Sequence, residues 1–237
     1  MRKIILFFVV ITCCNATASA QTDLFAHVES SNSKLNRLLI SPIYDGGNPL
    51  TLEDIEGSPY LTPAFEVGSV NMIKQKVLIR YNSFNDLFEI KQNTDNVLNL
   101  NKSNTNYIIT INNYSFKSFL YPQKNSDQYS YFALLTTLDS TKVGLLKTMR
   151  KNLNKVQEAS SSYVKAKRAN FSPITIDKYY ILTTKQDIIE FKPKSRSLYS
   201  LFPELKTEIK SYIKTNDIDL KKEEDLIKTI AHINSLN

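Results

Sequence analysis

Few side chains in this sequence are suited to covalent or metal chemistry. The two histidines, His27 and His232, lie near opposite ends of the chain, and the two cysteines, Cys13 and Cys14, are adjacent near its start. A zinc site with Cys or paired His ligands is therefore not expected. A Ser-His-carboxylate triad would have to use one of these two histidines, each of which lies in a helix-like or irregular terminal segment, so we do not expect a triad either. The chain also has no Gly-x-Ser-x-Gly, His-Glu-x-x-His or phosphate-cradling glycine-rich motif. We therefore predict no catalytic residue, no metal site and no cofactor.

Three neighbouring carboxylates are the strongest remaining candidates for catalysis. Glu53, Asp54 and Glu56 lie close together, and a pair of carboxylates is all that a glycosidase needs. Glu53 and Asp54, together with Asp45 and Asn48, could also supply oxygen ligands to calcium, although the spacing matches no EF-hand loop. In a segment this rich in turn residues, such groups are more often solvated charge. A carboxylate-dependent, glycan-active enzyme therefore remains only an alternative.

The first 20 residues have the pattern of a secretory signal peptide. Arg2 and Lys3 precede an apolar stretch, and Ala18-Ser19-Ala20 supplies the small residues of a cleavage site. We therefore expect an exported protein, periplasmic or associated with the outer membrane, whose mature chain lacks both cysteines. The alternative is a lipid anchor at Cys13 or Cys14. Beyond the signal, no segment has the roughly 20 consecutive apolar residues that a membrane-spanning helix needs.

Residues 68–192 are expected to form one antiparallel β domain. Short runs rich in Val, Ile, Tyr and Phe alternate there with polar residues, which is typical of a meander of nine or ten strands. The pair Asn112-Asn113 predicts a tight turn, because Asn tolerates a positive φ. The sheet could be a curled sheet, a sandwich or a half-barrel. The expected strands are Val70–Ile73, Val77–Tyr81, Leu87–Lys91, Val97–Leu100, Tyr107–Ile111, Ser115–Tyr121, Tyr129–Leu138, Lys178–Thr183 and Asp187–Lys192.

The segment 143–156 is ambiguous. Its apolar residues recur at helical spacing, whereas the segments on both sides are expected strands. From the residues alone, helix and strand both stay open. The residues at helical spacing are Leu145, Met149, Leu153 and Val156.

The β domain is expected to lie between an irregular lead-in and a helical tail. Residues 21–67 hold four of the eight prolines and three of the five glycines, with one short helix near residues 33–40. Residues 193–237 switch to helical spacing and predict a hairpin of two helices, the second with acidic residues in its first turn. The apolar residues expected on the buried helix faces are Leu205, Ile209, Tyr212 and Ile213 in the first helix and Leu226, Ile230 and Ile233 in the second. This hairpin is too small to fold alone and must dock on the sheet. The fold class is therefore mainly β (α+β).

A basic strip is the first candidate for a binding surface. Eight basic residues against one acidic residue, Glu158, lie between Lys142 and Arg168. On an exported protein such a strip could contact anionic lipid head groups, acidic glycans or an acidic partner, or it could be a solvated face that protects an edge strand. The possible partner-binding residues are Lys147, Arg150, Lys151 and Lys155.

An aromatic pair is the second candidate. Tyr179 and Tyr180 are consecutive on an expected strand, so they should face opposite sides of the sheet, which would leave one of them on the surface. An exposed ring could stack a sugar or a base. The alternative is cross-strand aromatic packing in the core. Because export separates the protein from nucleic acid, we expect no nucleic-acid partner.

Polar residues packed among aromatics in Lys76–Lys91 could be taken for a site. The arrangement of the neighbouring segments instead favours a structural role, in which Arg80 pairs with Asp86 or with Glu89. We therefore expect this strand to set the register of the meander.

Several motifs are spread over most of the mature chain: Gly57-Ser58-Pro59-Tyr60-Leu61, Arg80-Tyr81-Asn82 with Asp86, Tyr179-Tyr180, Glu224-Asp225-Leu226-Ile227-Lys228, and Asn234-Ser235-Leu236. In these motifs the chain resembles a family of uncharacterised exported proteins of Bacteroidota. Members often carry an aromatic pair before the terminal asparagine, where this chain has His232-Ile233. The resemblance implies a periplasmic or outer-membrane-associated protein and favours strand for residues 143–156. It implies no activity and no catalytic residues.

The function expected from these observations is binding rather than catalysis. The leading hypothesis is an exported β-rich protein that binds or scaffolds an envelope protein, a lipid or a glycan. The alternative is a carrier that holds an apolar ligand, such as a lipid, among its Phe and Tyr side chains.

Overall fold

The computed structural model describes residues 54–92, 96–122, 127–157 and 167–236, together with two short paired strands, Tyr44–Asp45 and Asn48–Pro49. The main element is an antiparallel sheet of ten strands. The strands are β1 (Glu66–Val70), β2 (Val77–Asn82), β3 (Leu87–Lys91), β4 (Val97–Asn99), β5 (Ile108–Ile111), β6 (Tyr114–Pro122), β7 (Asp127–Leu134), β8 (Gly144–Arg150), β9 (Thr175–Leu182) and β10 (Ile188–Phe191). Three α-helices follow: α1 (Ser195–Leu201), α2 (Lys206–Thr215) and α3 (Glu223–Ser235).

The sheet consists of two meanders joined side by side. Across the sheet the strands run in the order β10-β9-β8-β7-β6-β5-β1-β2-β3-β4, and it does not close into a barrel. Residues 100–107 connect β4 at one edge back to β5, which pairs with β1 in the middle of the sheet. Leu100 and Tyr107, at the two ends of this connection, are buried. Residues 100–107 therefore pack against the sheet where they cross it.

An aromatic cluster on one face of the sheet joins the two meanders. Tyr81 and Phe88 are cross-strand partners, and their ring centroids are 4.7 Å apart. Phe116 lies 5.1 Å from both of these rings, and Tyr131 meets Phe88 edge-on at 4.9 Å. All four side chains are almost completely buried. Edge-to-face and tilted contacts at these spacings are the favourable arrangements for aromatic rings.

The helices cover the same face over the second meander. Ile209 of α2 and Leu226, Ile230 and Ile233 of α3 are buried against strand residues that include Leu145 and Ile181. These are the apolar positions expected for the two tail helices, and the acidic first turn of α3 is present as predicted. The predictions of a mainly β fold and of docked C-terminal helices are confirmed.

Helix α1 was not predicted. It has seven residues, and Leu198 is its only buried residue. Fewer than two full turns give too few apolar positions for a helical period to be visible in the sequence.

The segment 143–156 contains strand β8 rather than a helix. Six of the seven residues of β8 are buried, on both faces of the sheet. A strand that is covered on both sides has a continuous apolar run instead of the alternation that marks a half-exposed strand. The helical spacing of Leu145 and Met149 is therefore a coincidence within that run.

Local turn chemistry agrees with the predicted hairpins. Asn112 and Asn113 connect β5 to β6, and Asn112 has a φ of 53°. The predicted tight turn is confirmed. The first strand begins at Glu66, inside the predicted lead-in. The proposed signal sequence and the short helix near residues 33–40 lie outside the described residues.

Candidate functional site

Arg80 and Glu89 form the first of three buried charged groups. They are cross-strand partners on β2 and β3, and Arg80 Nε donates to Glu89 Oε2 at 2.7 Å. The Tyr60 hydroxyl accepts from Arg80 Nη2 at 2.8 Å and donates to Glu89 Oε1 at 3.3 Å. The guanidinium lies 3.7 Å from the ring centroid of Tyr60 and 4.2 Å from that of Phe65. Of the two partners expected for Arg80, the structure selects Glu89.

This cluster ties residues 60–65 to the sheet. Glu89 is completely buried, and its charge is matched by Arg80 and by a hydroxyl donor. Burial, followed by the nearby negative charge of Glu89, raises the pKa of Tyr60 to about 12. The donors and acceptors of Arg80, Glu89 and Tyr60 bond to one another, so we interpret this cluster as a structural ion pair.

Asp86 is the centre of the second group. It ends the turn between β2 and β3 with a φ of 57°, a conformation that Asp tolerates better than most residues. Its carboxylate accepts a hydrogen bond from the Tyr81 hydroxyl at 2.7 Å and pairs with Lys102 at 2.7 Å and with Arg150. The backbone N–H of Tyr131 also donates to it, at 3.2 Å. The predicted Arg80–Asp86 alternative is therefore replaced by two other cations.

The Asp86 group lies where strands β7 and β8 separate. Their ladder consists of the pairs Leu146 with Leu134 and Lys147 with Ala133. Beyond it, the N–H of Tyr131 donates to Asp86 instead of to β8. Burial lowers the pKa of Lys102, while its pairing with Asp86 opposes that shift. Sequence reasoning missed Lys102, because a lysine in the polar stretch 101–106 has no local feature that indicates a buried partner.

Lys147 forms the third group, and its predicted place on the surface is wrong. It is 2% exposed, and its Nζ donates to both carboxylate oxygens of Glu223 at 2.7 and 2.8 Å. The Tyr179 hydroxyl donates to Glu223 Oε2 at 3.3 Å. Burial and the charge of Glu223 raise the pKa of Tyr179 to about 12. These bonds fasten the first turn of α3 to β8 and β9.

Tyr180 is also not a surface residue. It is 4% exposed, and its ring lies 4.9 Å from Phe132 and 5.4 Å from Tyr121. Tyr179 is half-buried beneath α3 on the opposite face. The expectation that one of the pair would be on the surface assumed that one face of the strand meets water, but here side chains cover both faces.

The remaining residues of the basic strip differ in their contacts. Arg150 is held by Asp86, and it donates to the Tyr81 hydroxyl at 3.1 Å. Lys151 Nζ donates to the carbonyl of Ser58 at 2.7 Å. Lys155 is exposed. Of the four predicted basic residues, Lys147 is buried, Arg150 is partly buried against Asp86, and Lys151 and Lys155 lie near or at the surface.

The sheet face opposite the helices carries a shallow groove. Its volume is about 400 Å³, and it is open to solvent. On the same face of the sheet, the cross-strand partners Val67 and Leu78 are 67% and 43% exposed. The groove is lined by Ile108, Ser115, Leu134, Leu135, Thr136, Thr137 and Leu138.

The predicted carboxylate cluster is only partly described. Glu56 is exposed, and its backbone pairs with that of Asn170. Asp54 lies in a short turn, while Glu53 and the side chains of Asp45 and Asn48 lie outside the described residues. Within the described ranges, no three His, Cys, Asp or Glu side chains are grouped closely enough to hold a metal ion.

Comparisons with family models, with curated proteins and with solved structures find no match. Among the helices of the described ranges, none is both long enough and apolar enough to cross a bilayer.

Proposed function

We propose that this is an exported, non-catalytic protein that binds or scaffolds a component of the cell envelope. The observation that carries the proposal is a contrast between the interior and one sheet face. The three buried charged groups, around Glu89, Asp86 and Glu223, are each neutralised by partners that connect separate parts of the fold. The opposite face instead exposes the apolar side chains of Val67 and Leu78, and the same face carries an open groove. Exposed apolar surface of this kind is typical of interaction sites.

The amino-terminal sequence supports the envelope location. Its basic start, apolar stretch and Ala18-Ser19-Ala20 motif are the features by which secretory signals are recognised. The absence of cysteine beyond residue 14 leaves the mature chain dependent on packing alone. The aromatic cluster and the helix-covered half of the sheet supply that packing.

A pull-down tests the binding function. Tagged wild-type protein, cross-linked in its own host and purified from the envelope fraction, should capture a reproducible partner. The double variant Val67→Lys/Leu78→Lys should lose it, because two charges would have to be desolvated at the contact. The matched control is Met72→Lys/Leu236→Lys, which changes two apolar side chains that are 64% and 39% exposed elsewhere. Equal capture by both variants, or no specific partner of the wild-type protein, would refute the proposal.

A carrier of an apolar ligand is the second candidate, and packing makes it the weaker one. In a curled sheet, a carrier's ligand would occupy the space between the sheet and its covering elements. Here that space is filled by rings such as Tyr81 and Phe88, packed at 4.7 Å. The open groove of about 400 Å³ is at the lower end of the size range of small-molecule pockets. Native mass spectrometry of protein from its own host should show the bare polypeptide mass; a stable added mass would favour the carrier.

A glycan-active enzyme is the third candidate function. Replacing Glu53 and Glu56 by Gln and Asp54 by Asn removes its carboxylates without changing the side-chain volumes. We expect no hydrolysis of a glycan panel by either the wild-type or the triple variant. Hydrolysis by the wild-type protein that the triple variant lacks would establish the enzyme instead.

A further inference from the structure

The outer part of the basic strip folds into a hairpin. Leu153 pairs with Phe171 and Asn154 with Asn170 in a short antiparallel ladder. Further out, Gln157 and Lys167 exchange two backbone hydrogen bonds, of 3.0 and 2.9 Å. We call residues 151–157 and 167–171 the basic hairpin. Its fold brings Lys155 on one arm close to Lys167 and Arg168 on the other.

A small core of its own fixes the hairpin to the sheet. Ala169 and Phe171 are buried against Ile55, and the rings of Phe171 and Phe84 meet edge-on at 5.3 Å. Glu56 N–H donates to the carbonyl of Ala169 at 2.9 Å, so residues 54–60 brace the hairpin from the side. Apolar packing and backbone hydrogen bonds therefore hold the hairpin in place where it joins the sheet.

The outer side chains carry a surplus of positive charge. Lys155, Lys167 and Arg168 are exposed, and within the described part of the chain none of them forms an ion pair. One acidic residue, Glu56, lies beside the hairpin, where its backbone pairs with that of Asn170. Lys147 and Arg150, which precede the hairpin in the same basic strip, are neutralised in the interior. Lys142, at the start of the strip, pairs with Asp139, so the exposed cations of the strip that form no described ion pair lie on the hairpin.

We propose that the basic hairpin binds the anionic head groups of a phospholipid bilayer. This inference rests on the proposed envelope function and names one partner for it. Phosphate head groups form an array of charge that flexible cationic side chains can contact without a shaped pocket. The rings of Phe84 and Phe171 at the hairpin are packed against each other and the core, so neither offers the stacking surface by which neutral sugars are bound. The exposed cations on both arms instead match an extended charged array such as a bilayer surface, and a soluble acidic polysaccharide serves as the competing partner in the test.

The expected effect follows from the number of charges. Each basic side chain near an anionic membrane surface contributes about 1 kcal/mol, which is roughly fivefold in the partition coefficient. Removing three should therefore lower binding by at least tenfold, with a strong dependence on ionic strength because these charges are exposed.

Vesicle flotation with the full mature chain tests the proposal. The vesicles contain phosphatidylcholine alone or phosphatidylcholine mixed with phosphatidylglycerol. The test variant is Lys155→Gln/Lys167→Gln/Arg168→Gln. The matched control is Lys210→Gln/Lys214→Gln/Lys221→Gln, which removes the same net charge from exposed positions on or beside the C-terminal helices. Circular dichroism verifies that both variants fold.

The proposal is supported if the wild-type protein floats only with the mixed vesicles and if added salt weakens this binding. The partition coefficient should fall at least tenfold in the test variant and stay unchanged in the control. Three results would overturn it: no flotation with mixed vesicles, equal flotation with phosphatidylcholine alone, or equal loss in both variants. Binding to a soluble acidic polysaccharide without vesicle binding would also overturn it. None of these results bears on the partner captured through Val67 and Leu78, so the proposed function is tested separately.

Discussion

Asp86 and Arg150 are joined by an ion pair at the point where β7 and β8 separate. The carboxylate comes from the turn between β2 and β3 and the guanidinium from the end of β8, so the contact connects the two meanders. Lys102 adds a second cation from the connection that crosses the sheet. One carboxylate therefore holds three distant parts of the chain together.

Replacing Asp86 by Asn should lower the free energy of unfolding by about 3 kcal/mol, because it leaves Lys102 and Arg150 without their counter-charge in a largely buried site. Asn also tolerates the positive φ at this position, so the variant tests the charge rather than the turn. Urea unfolding followed by circular dichroism measures the change. The control is Asp139→Asn, an exposed carboxylate in a loop that pairs with Lys142, for which we expect a much smaller loss because water screens exposed pairs. Similar losses in the two variants would contradict the assigned role of Asp86.

Replacing Glu223 by Gln should cost about 2 kcal/mol. Lys147 is 2% exposed and would lose its only described anionic partner, although the partly exposed Glu223 allows some compensation by water. In a Lys147→Met background the same substitution should cost much less, because no buried charge remains. Glu224→Gln removes the neighbouring first-turn carboxylate, which is exposed, and controls for the helix dipole. Additive effects of Lys147→Met and Glu223→Gln in a double-mutant cycle would rule out the coupling.

Gly68→Ala should destabilise the sheet by about 1–3 kcal/mol. A Cβ at this position of β1 would overlap Ile79 Cγ2 and would lie 2.8 Å from the carbonyl oxygen of Thr110, a backbone atom that cannot move aside. Gly144→Ala is the comparison, since its Cβ would lie 3.2 Å from Leu182 Cβ and needs only a small adjustment. Thermal or urea unfolding should rank Gly68→Ala as the more damaging of the two. The opposite ranking would mean that β1 does not approach β2 and β5 as closely as described.

Stability should fall as the pH rises from about 10 to about 12. An unfolded tyrosine ionises near pH 10, whereas burial and Glu89 raise the pKa of Tyr60 to about 12 in the folded state. Between these values the unfolded chain has lost the proton and the folded chain has kept it, so the contribution of Tyr60 is present below pH 10 and is lost as the pH passes 12. Tyr60→Phe should make this decline shallower, as measured by urea unfolding at successive pH values. An unchanged slope would indicate that Tyr60 ionises normally in the folded protein.

Patterns within short stretches were enough to predict much of the fold. Leu87–Lys91 was predicted with the bounds that the structure shows, since its turn residues and alternation are local. The tail helices were predicted for the same reason, with Ile209, Leu226, Ile230 and Ile233 on their buried faces. The pairing of Arg80 with Glu89 was one of two alternatives, because both carboxylates are near in sequence and only the strand register decides between them.

The buried sites could not be predicted in this way. Lys147 looks like a surface residue in the sequence, and only the docking of α3 supplies Glu223 to neutralise it. Likewise, nothing near Asp86 in the sequence indicates Lys102 or Arg150 as partners, and the crossing of residues 100–107 brings them together.

By itself, the sequence determined the β-rich class, most strand positions, the helical tail and the scarcity of catalytic residue types, because these depend on composition and on periods of a few residues. Only the tertiary structure decided that β5 pairs with β1, that β8 is a strand covered on both faces, and that Lys147 is buried while Arg150 is partly buried against Asp86. The physical reason is that burial and pairing of a charge depend on groups distant in sequence. A lysine has the same local pattern whether its partner is water or a carboxylate on a remote helix.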